Sequence, residues 1–367
     1  MNVAGRPAAP RIGKKLPIQP SGFPAYYIDR RRPRVITSDV WSFLDSFFRS
    51  KAIEDKKQVQ AARTFIEQAY GFFEAGANPR LSSRPVLYYY CFLNLGKAFL
   101  IHKQVPMPTR QYHGIRELDT NFQSKRLGLT TQSIMVLELV ADHRHVYPEI
   151  IRGLGGVAGR TRRSIPIQTL LQQVPGIHRT YCEVFGGDPI FCPIDCVEVV
   201  SGKDGVTARI FLNKHDRDVV KTHRLIENDK YFKKNFRRVV PLGHQDCICY
   251  ETVDLVKTRS HDKGIAELHR TMQDLGIWSI LTQDGYRFYL CTKARDKNTL
   301  PQLASIYAIM FYLGSITRYH PYHFNKIADK TYAWLVNEFL DSQPTQFVYM
   351  LASTIVGVDV VKPFALT

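Results

Sequence analysis

The chain has 367 residues, 44% hydrophobic and 12% aromatic, which is ample for folded cores and excludes wholesale disorder. A formal charge of +17 favours polyanionic partners, nucleic acid first and acidic membrane surfaces second. Seven scattered cysteines leave one over in any pairing, which argues against a secreted disulfide framework and for a reducing cytoplasm.

The length suggests two domains, or one large domain with an insertion. The first thirty residues lack the apolar core of a secretory signal. The longest apolar run, 86–101, is interrupted by Asn94, Gly96 and Lys97 and is short for a membrane span. A cytoplasmic protein that does not enter a membrane is expected.

Residues 1–35 are rich in proline and arginine. They read as an extended arm or wrapping strand whose charge can lie along phosphates, with a solvated tail as the alternative. Prolines 10, 17, 20 and 24 would break the amphipathic helix of a mitochondrial presequence. From Thr37 the spacing turns helical: Ser38 is placed to cap a helix carrying Val40, Trp41, Leu44, Phe47 and Phe48. A second helix carries Ala61, Phe65, Ala69 and Phe72 and stops near Gly76. The third starts around Ser83-Arg84-Pro85 and is apolar on all sides, so it should be a central buried helix. On it, Asn94 and Lys97 need polar partners, in an interhelical hydrogen bond or in a site.

Residues 104–130 look irregular, and 133–140 form a short apolar element. Between Arg152 and Arg163, glycines beside arginines could cradle phosphate through backbone amides. The strand and helix that flank a dinucleotide fingerprint are not evident there. Arg160, Arg162 and Arg163 are candidate nucleic-acid contacts, a basic surface loop being the alternative. A short helix over 164–174 gives way to strands, with hairpins at 197–212 and 278–291 and a further strand at 248–256. Between the hairpins, Lys230, Lys233, Lys234, Arg237 and Arg238 interleave with Tyr231, Phe232 and Phe236. That mixture suits single-stranded nucleic acid, whose bases stack on rings; a solvated helix face is the plainer reading. The remainder is helical: 300–319, ended by Pro321, then 332–340 and 347–355. The expected fold is α+β, mainly α, with helical N- and C-terminal parts packed together around a β-rich middle. The expected boundaries are 1–35, 36–175, 176–295 and 296–367.

The segments SRPVLYYYCFLNLGKAFLIHK, His113-Gly114-Ile115, MFYLGSITRYHPYHF and WLVNEFLDSQPTQF together resemble the YaaC-like family of bacterial proteins, from about residue 36 onward. The resemblance implies a bacterial, cytoplasmic protein with an α-rich fold. It carries over no catalytic residue, and the basic arm lies outside it.

Arg318 and His323 have an Arg-x4-His spacing similar to that of the HEPN ribonucleases. A histidine there can take the proton of an RNA 2′-hydroxyl while the arginine stabilises charge on the phosphate, without metal. Arg209/His215, Arg217/His223, Arg238/His244 and Arg237/His244 have comparable spacings, so the helix-end position is what singles out Arg318 and His323 as the candidate catalytic pair. Cys192, Cys196, Cys247 and Cys249 are spaced poorly for a zinc knuckle and read as buried thiols in β structure. No metal and no cofactor is expected. The function expected is nucleic-acid association with RNA or single-stranded DNA, extending to metal-independent RNA cleavage in defence or stress. The alternative is a non-catalytic protein-interaction module, and a homodimer is open in either case.

Overall fold

The computed structural model describes residues 14–16, 35–50, 55–77, 82–105, 112–118, 129, 132–136, 145–156, 162–202, 205–215, 223, 227–240, 246–253, 275–282, 285–293, 298–328, 331–357 and 360–363. The fold is α+β and mainly α. Two compact units divide it, Met1–Arg34 with Asp188–Asp296, and Val35–Gly187 with Lys297–Thr367. Strands dominate the first and helices the second.

In the arm, β1 (Lys14–Leu16) pairs antiparallel with residues 199–201, so those residues form a wrapping strand. The helical unit opens with β2 (Val35–Ile36) and α1 (Val40–Ser50). Asp39, rather than the expected Ser38, caps α1: its carboxylate accepts from the Trp41 and Ser42 amides at 3.1 and 3.0 Å. A carboxylate also complements the positive end of the helix. Asp55 caps α2 (Lys56–Gly76) in the same way, and α2 stops at Gly76 as its sequence predicts. The buried face of α2 is Ala62, Ile66, Ala69 and Gly76, small enough for α3 (Arg84–His102) to lie close along it. Helix α3 is buried around most of its circumference, as expected. Asn94 on it donates to the Tyr90 carbonyl at 3.0 Å, a bond within its own helix where an interhelical one was expected.

The region expected to be irregular supplies β3 (Ile115–Glu117), which pairs with β4 (Ser133–Val136). After α4 (Val146–Gly153), β5 (Arg163–Pro166) completes this antiparallel sheet, and α5 (Ile167–Gln172) and α6 (His178–Phe185) follow.

The β-rich unit contains β6 (Phe191–Ile194), β7 (Cys196–Gly202), β8 (Gly205–Asn213), α7 (Lys230–Asn235), β9 (Phe236–Val239), β10 (Cys247–Thr252), β11 (Ile277–Thr282) and β12 (Gly285–Cys291). They form two antiparallel sheets, ordered β1-β7-β8-β10-β9 and β11-β12-β6. Both hairpins fall where turn chemistry places them, with Gly202 opposite Gly205 and Thr282 opposite Gly285. At the centre of the larger sheet Glu251, fully buried, receives Arg209 at 2.8 Å and Arg237 at 2.6 Å. Burial alone would raise its pKa, but the hydrogen bonds from Arg237 and Arg209 hold it below the ordinary glutamate value. Cys249 packs with Phe211 and Val239, with Cys196 and Cys247 against them, and burial pushes its thiol up to about 12.

The chain returns through α8 (Gln302–Tyr319), α9 (Pro321–Ala328) and α10 (Ala333–Val356), and β13 (Val360–Val361) pairs in parallel with β2. Helix α8 ends just ahead of Pro321, as expected. Helix α10 runs unbroken where two helices were expected. Phe339 and Leu340 before Pro344, and Phe347 and Val348 after it, are all buried, and that shared burial outweighs the one hydrogen bond a proline lacks. The helical core centres on α3, α8 and α10, where the Phe92 and Phe347 rings stack at 3.8 Å. No described helix is long and apolar enough to cross a membrane.

Candidate nucleic-acid interface

Residues Gln302 to Ile316 of α8 are buried throughout, so packing fixes the helix up to its last turn. Gly314 sets how close it comes to α3: a Cβ there would lie 3.0 Å from the Pro85 carbonyl oxygen and 3.1 Å from Tyr89 Cβ. That approach carries Arg318, one turn on, to the Tyr90 side chain. Arg318 Nη1 donates to Tyr90 Oη at 2.5 Å, and the guanidinium lies 4.3 Å from the centre of the Tyr319 ring. On α9, Lys326 Nζ sits 4.8 Å over the Tyr322 ring. Tyr319 and Tyr322 are 60% and 72% exposed, an unusual degree for large rings and one that leaves surface for a partner to cover. Among the described residues, Arg318 and Lys326 have no carboxylate within ion-pair distance.

His113 lies on the same unit, and three local features place it. The first-turn amides of α4 bind the chain before it, Val146 N–H to the Tyr112 carbonyl and Tyr147 N–H to the His113 carbonyl, both at 3.0 Å. Gly114 then adopts a positive φ of 73°, turning the chain into β3 against His145 and Pro148, where a side chain has no room. Finally, His113 Nδ1 meets Tyr89 Oη at 2.6 Å. His113 is exposed as a whole residue, with its ring partly buried. Partial burial, then the charges of Lys97 and Arg318, lower its pKa. Lys97, half-buried on α3 with Nζ 5.1 Å from the Phe65 ring centre, is itself held below its ordinary pKa by burial.

His323 sits differently. It is only 3% exposed, and its Nε2 lies 3.3 Å from Tyr312 Oη. Burial, then the neighbouring His320 and Lys326, keep its pKa down. Between the two, His320 stands 4.0 Å from Glu117 on β3. Arg318 and His323 thus occupy adjoining helices, but Arg318 engages Tyr90 and Tyr319 while His323 engages Tyr312.

Of the other expected contacts, Arg160 lies outside the described residues. Arg162 is exposed ahead of β5, and Arg163 is half-buried on it, where its charge acts on Tyr147. Lys230, Lys233 and Lys234 are exposed on α7. Of the rings expected to stack on bases beside them, Phe232 and Phe236 are buried and stack on each other at 4.5 Å, while Tyr231 is half-buried. Arg237 is bound to Glu251, and Arg238 lies 3.4 Å from Glu227. The aromatic and basic mixture of this segment is therefore divided between a core and a solvated face, because a six-residue helix must bury its phenylalanines to be held at all.

Spacing alone did not reveal Tyr90, His113, Tyr319, Tyr322 or Lys326. Tyr90 meets Arg318 only when α3 and α8 pack together, and Tyr322 and Lys326 meet on α9. Lys97 was legible as a cation on an otherwise apolar helix.

A model of the family described as YaaC-like Protein matches residues 35–355. No curated protein and no solved structure matches the chain.

Proposed function

The chain belongs to the YaaC-like protein family, and from that premise we propose that it is a bacterial, cytoplasmic protein that binds single-stranded nucleic acid at the end of α8. The observation that carries this reading is Arg318, held by the Tyr90 and Tyr319 rings, with the exposed Tyr322 under Lys326 on the helix that follows. Rings with exposed area stack on bases, and cations without carboxylate partners serve phosphates. The net charge of +17 supports the same class of partner.

Metal-independent RNA cleavage in defence or stress extends the proposal, with Arg318 stabilising the phosphate charge and His323 taking the 2′-hydroxyl proton. Cleavage by that pair requires α9 to release His323 from Tyr312, so binding is the better supported part. A labelled single strand titrated with the full chain over a range of salt tests the reading. Steep weakening with salt is expected, and Tyr319→Ala with Tyr322→Ala should cost about tenfold in affinity. Absent or salt-insensitive binding contradicts it and favours a protein-interaction module. Unchanged RNA degradation by His323→Ala removes that residue from the chemistry.

A further inference from the structure

Helix α5 ends at Gln172, and the last carbonyls of a helix have no partner inside it. His178, which opens α6, fills one of these places: its Nδ1 lies 3.1 Å from the Gln172 carbonyl oxygen. A carbonyl only accepts, so Nδ1 carries the hydrogen. A neutral imidazole protonated there has its lone pair on Nε2. One helical turn on, the Cys182 sulfur sits 3.5 Å from that Nε2. The thiol therefore donates, and its proton is aimed at a base. The His178 ring is 6% exposed and nearly parallel to the Tyr181 ring, so the base is fixed in place, while Cys182 is half-buried.

We propose that Cys182 and His178 act as nucleophile and base toward a low-molecular-weight disulfide, which makes Cys182 a site of thiol–disulfide exchange. Strand binding at the end of α8 plays no part in it. The thiol gives its proton to Nε2, and the sulfur attacks one sulfur of the disulfide. A new S–S bond forms at Cys182 and the S–S bond of the reagent breaks. The departing thiolate keeps the bonding pair and takes the proton from the imidazolium. Cys182 is oxidised to the disulfide level, and half of the reagent is reduced to a thiol.

A nucleophile, a base and a third group that orients the base are the parts this step requires. Burial, opposed by the Gln172 carbonyl, holds the His178 pKa down to about 4, so the ring is neutral and open to a proton. Once the proton has moved, the adjacent thiolate offsets the imidazolium charge. Acyl transfer would also need donors aligned on an oxyanion. The Gly186 amide at the end of α6 is instead bound to the Cys182 carbonyl at 2.9 Å, and exchange between sulfurs develops no oxyanion. The other thiols supply the contrast. Cys91, Cys192, Cys249 and Cys291 are buried away from a reagent. Cys196 and Cys247 are half-buried like Cys182, but pack against Phe211, Val239 and Cys249. Burial, then Asp195 and Asp246, raise the Cys247 thiol further.

Treating the full chain with 4,4′-dithiodipyridine tests the site, with thiopyridone release followed by absorbance and the modified cysteine located by mass spectrometry. Cys182 should react first, about tenfold faster than Cys196 and Cys247. His178→Gln can still accept from the thiol but cannot take its proton, and should slow Cys182 about tenfold near pH 7 with the melting temperature kept. In that variant the rate should fall about tenfold per pH unit below the thiol pKa, and in the wild type less steeply. If wild-type Cys182 reacts no faster than Cys196 and Cys247, the proposal is wrong. It is equally wrong if folded His178→Gln matches the wild type in rate and pH slope, since the pair would then be a structural hydrogen bond.

Discussion

Arg237 and Arg318 carry the same guanidinium into opposite settings. In the β-rich unit Arg237 and Arg209 close on buried Glu251, with Glu198 3.5 Å from Arg209, so two carboxylates offset two guanidiniums where they lie. In the helical unit Arg318 rests on tyrosine rings, which orient a guanidinium without neutralising it. A basic composition is thus ambiguous until each cation's partner is known. At Arg237 a carboxylate partner marks a structural arginine, and at Arg318 aromatic partners leave the charge presented outward.

The sharpest way to break this contrast is at Glu251. Glu251→Ala removes the carboxylate that Arg209, 3% exposed, shares with Arg237, leaving two guanidiniums to the single Glu198, and should cost about 3–5 kcal/mol by denaturant titration. Its depressed pKa adds a sign: the stabilisation is complete above the ordinary glutamate range and is lost as pH falls through the lower folded value. Acid titration of wild type and Glu251→Gln should therefore converge at low pH. Stability losses of equal size at neutral and low pH would contradict an ionised glutamate at that position.

A smaller effect is expected at Gly314. Gly314→Val must push α8 from the Pro85 carbonyl, a backbone atom that cannot rotate away. An overpacking loss of about 1–3 kcal/mol is expected in thermal melts, with weakened strand binding because Arg318 moves from Tyr90. Full stability in this variant would mean that the helix approach is looser than described. The smallest effect belongs to α7: Lys233→Ala with Lys234→Ala should change strand affinity by less than about 0.5 kcal/mol near physiological salt, since exposed lysines contribute mainly screened attraction. A larger loss would return the interface to that segment.

Local patterns read the elements well and their partners poorly. Gly76, Pro85, Pro321 and both hairpin turns act over a few residues, so their effects are written in adjacent letters, whereas the first N-cap is Asp39, one residue past the Ser38 expected. The continuity of α10 across Pro344 was not legible, because burial on both sides of the proline decides it. Nor was β3, three residues held by pairing with β4. The same limit applies to the interface. Arg318 was visible as a helix-end cation, but its partners Tyr90 and Tyr319, and His113 behind them, come from three elements distant in sequence. In 230–238, pattern suggested stacking where both phenylalanines are core, since alternation of charge and aromatic residues looks alike for a binding strip and for an amphipathic turn.

Photocrosslinking of the full chain to a single strand containing 4-thiouridine, followed by mass spectrometry of the peptides, tests the central claim most directly. The account predicts crosslinks on the peptides that contain Tyr90, Tyr319 and Tyr322, lost when Arg318 is replaced by alanine. Crosslinks confined to Lys230–Arg238, or unchanged by Arg318→Ala, would contradict it.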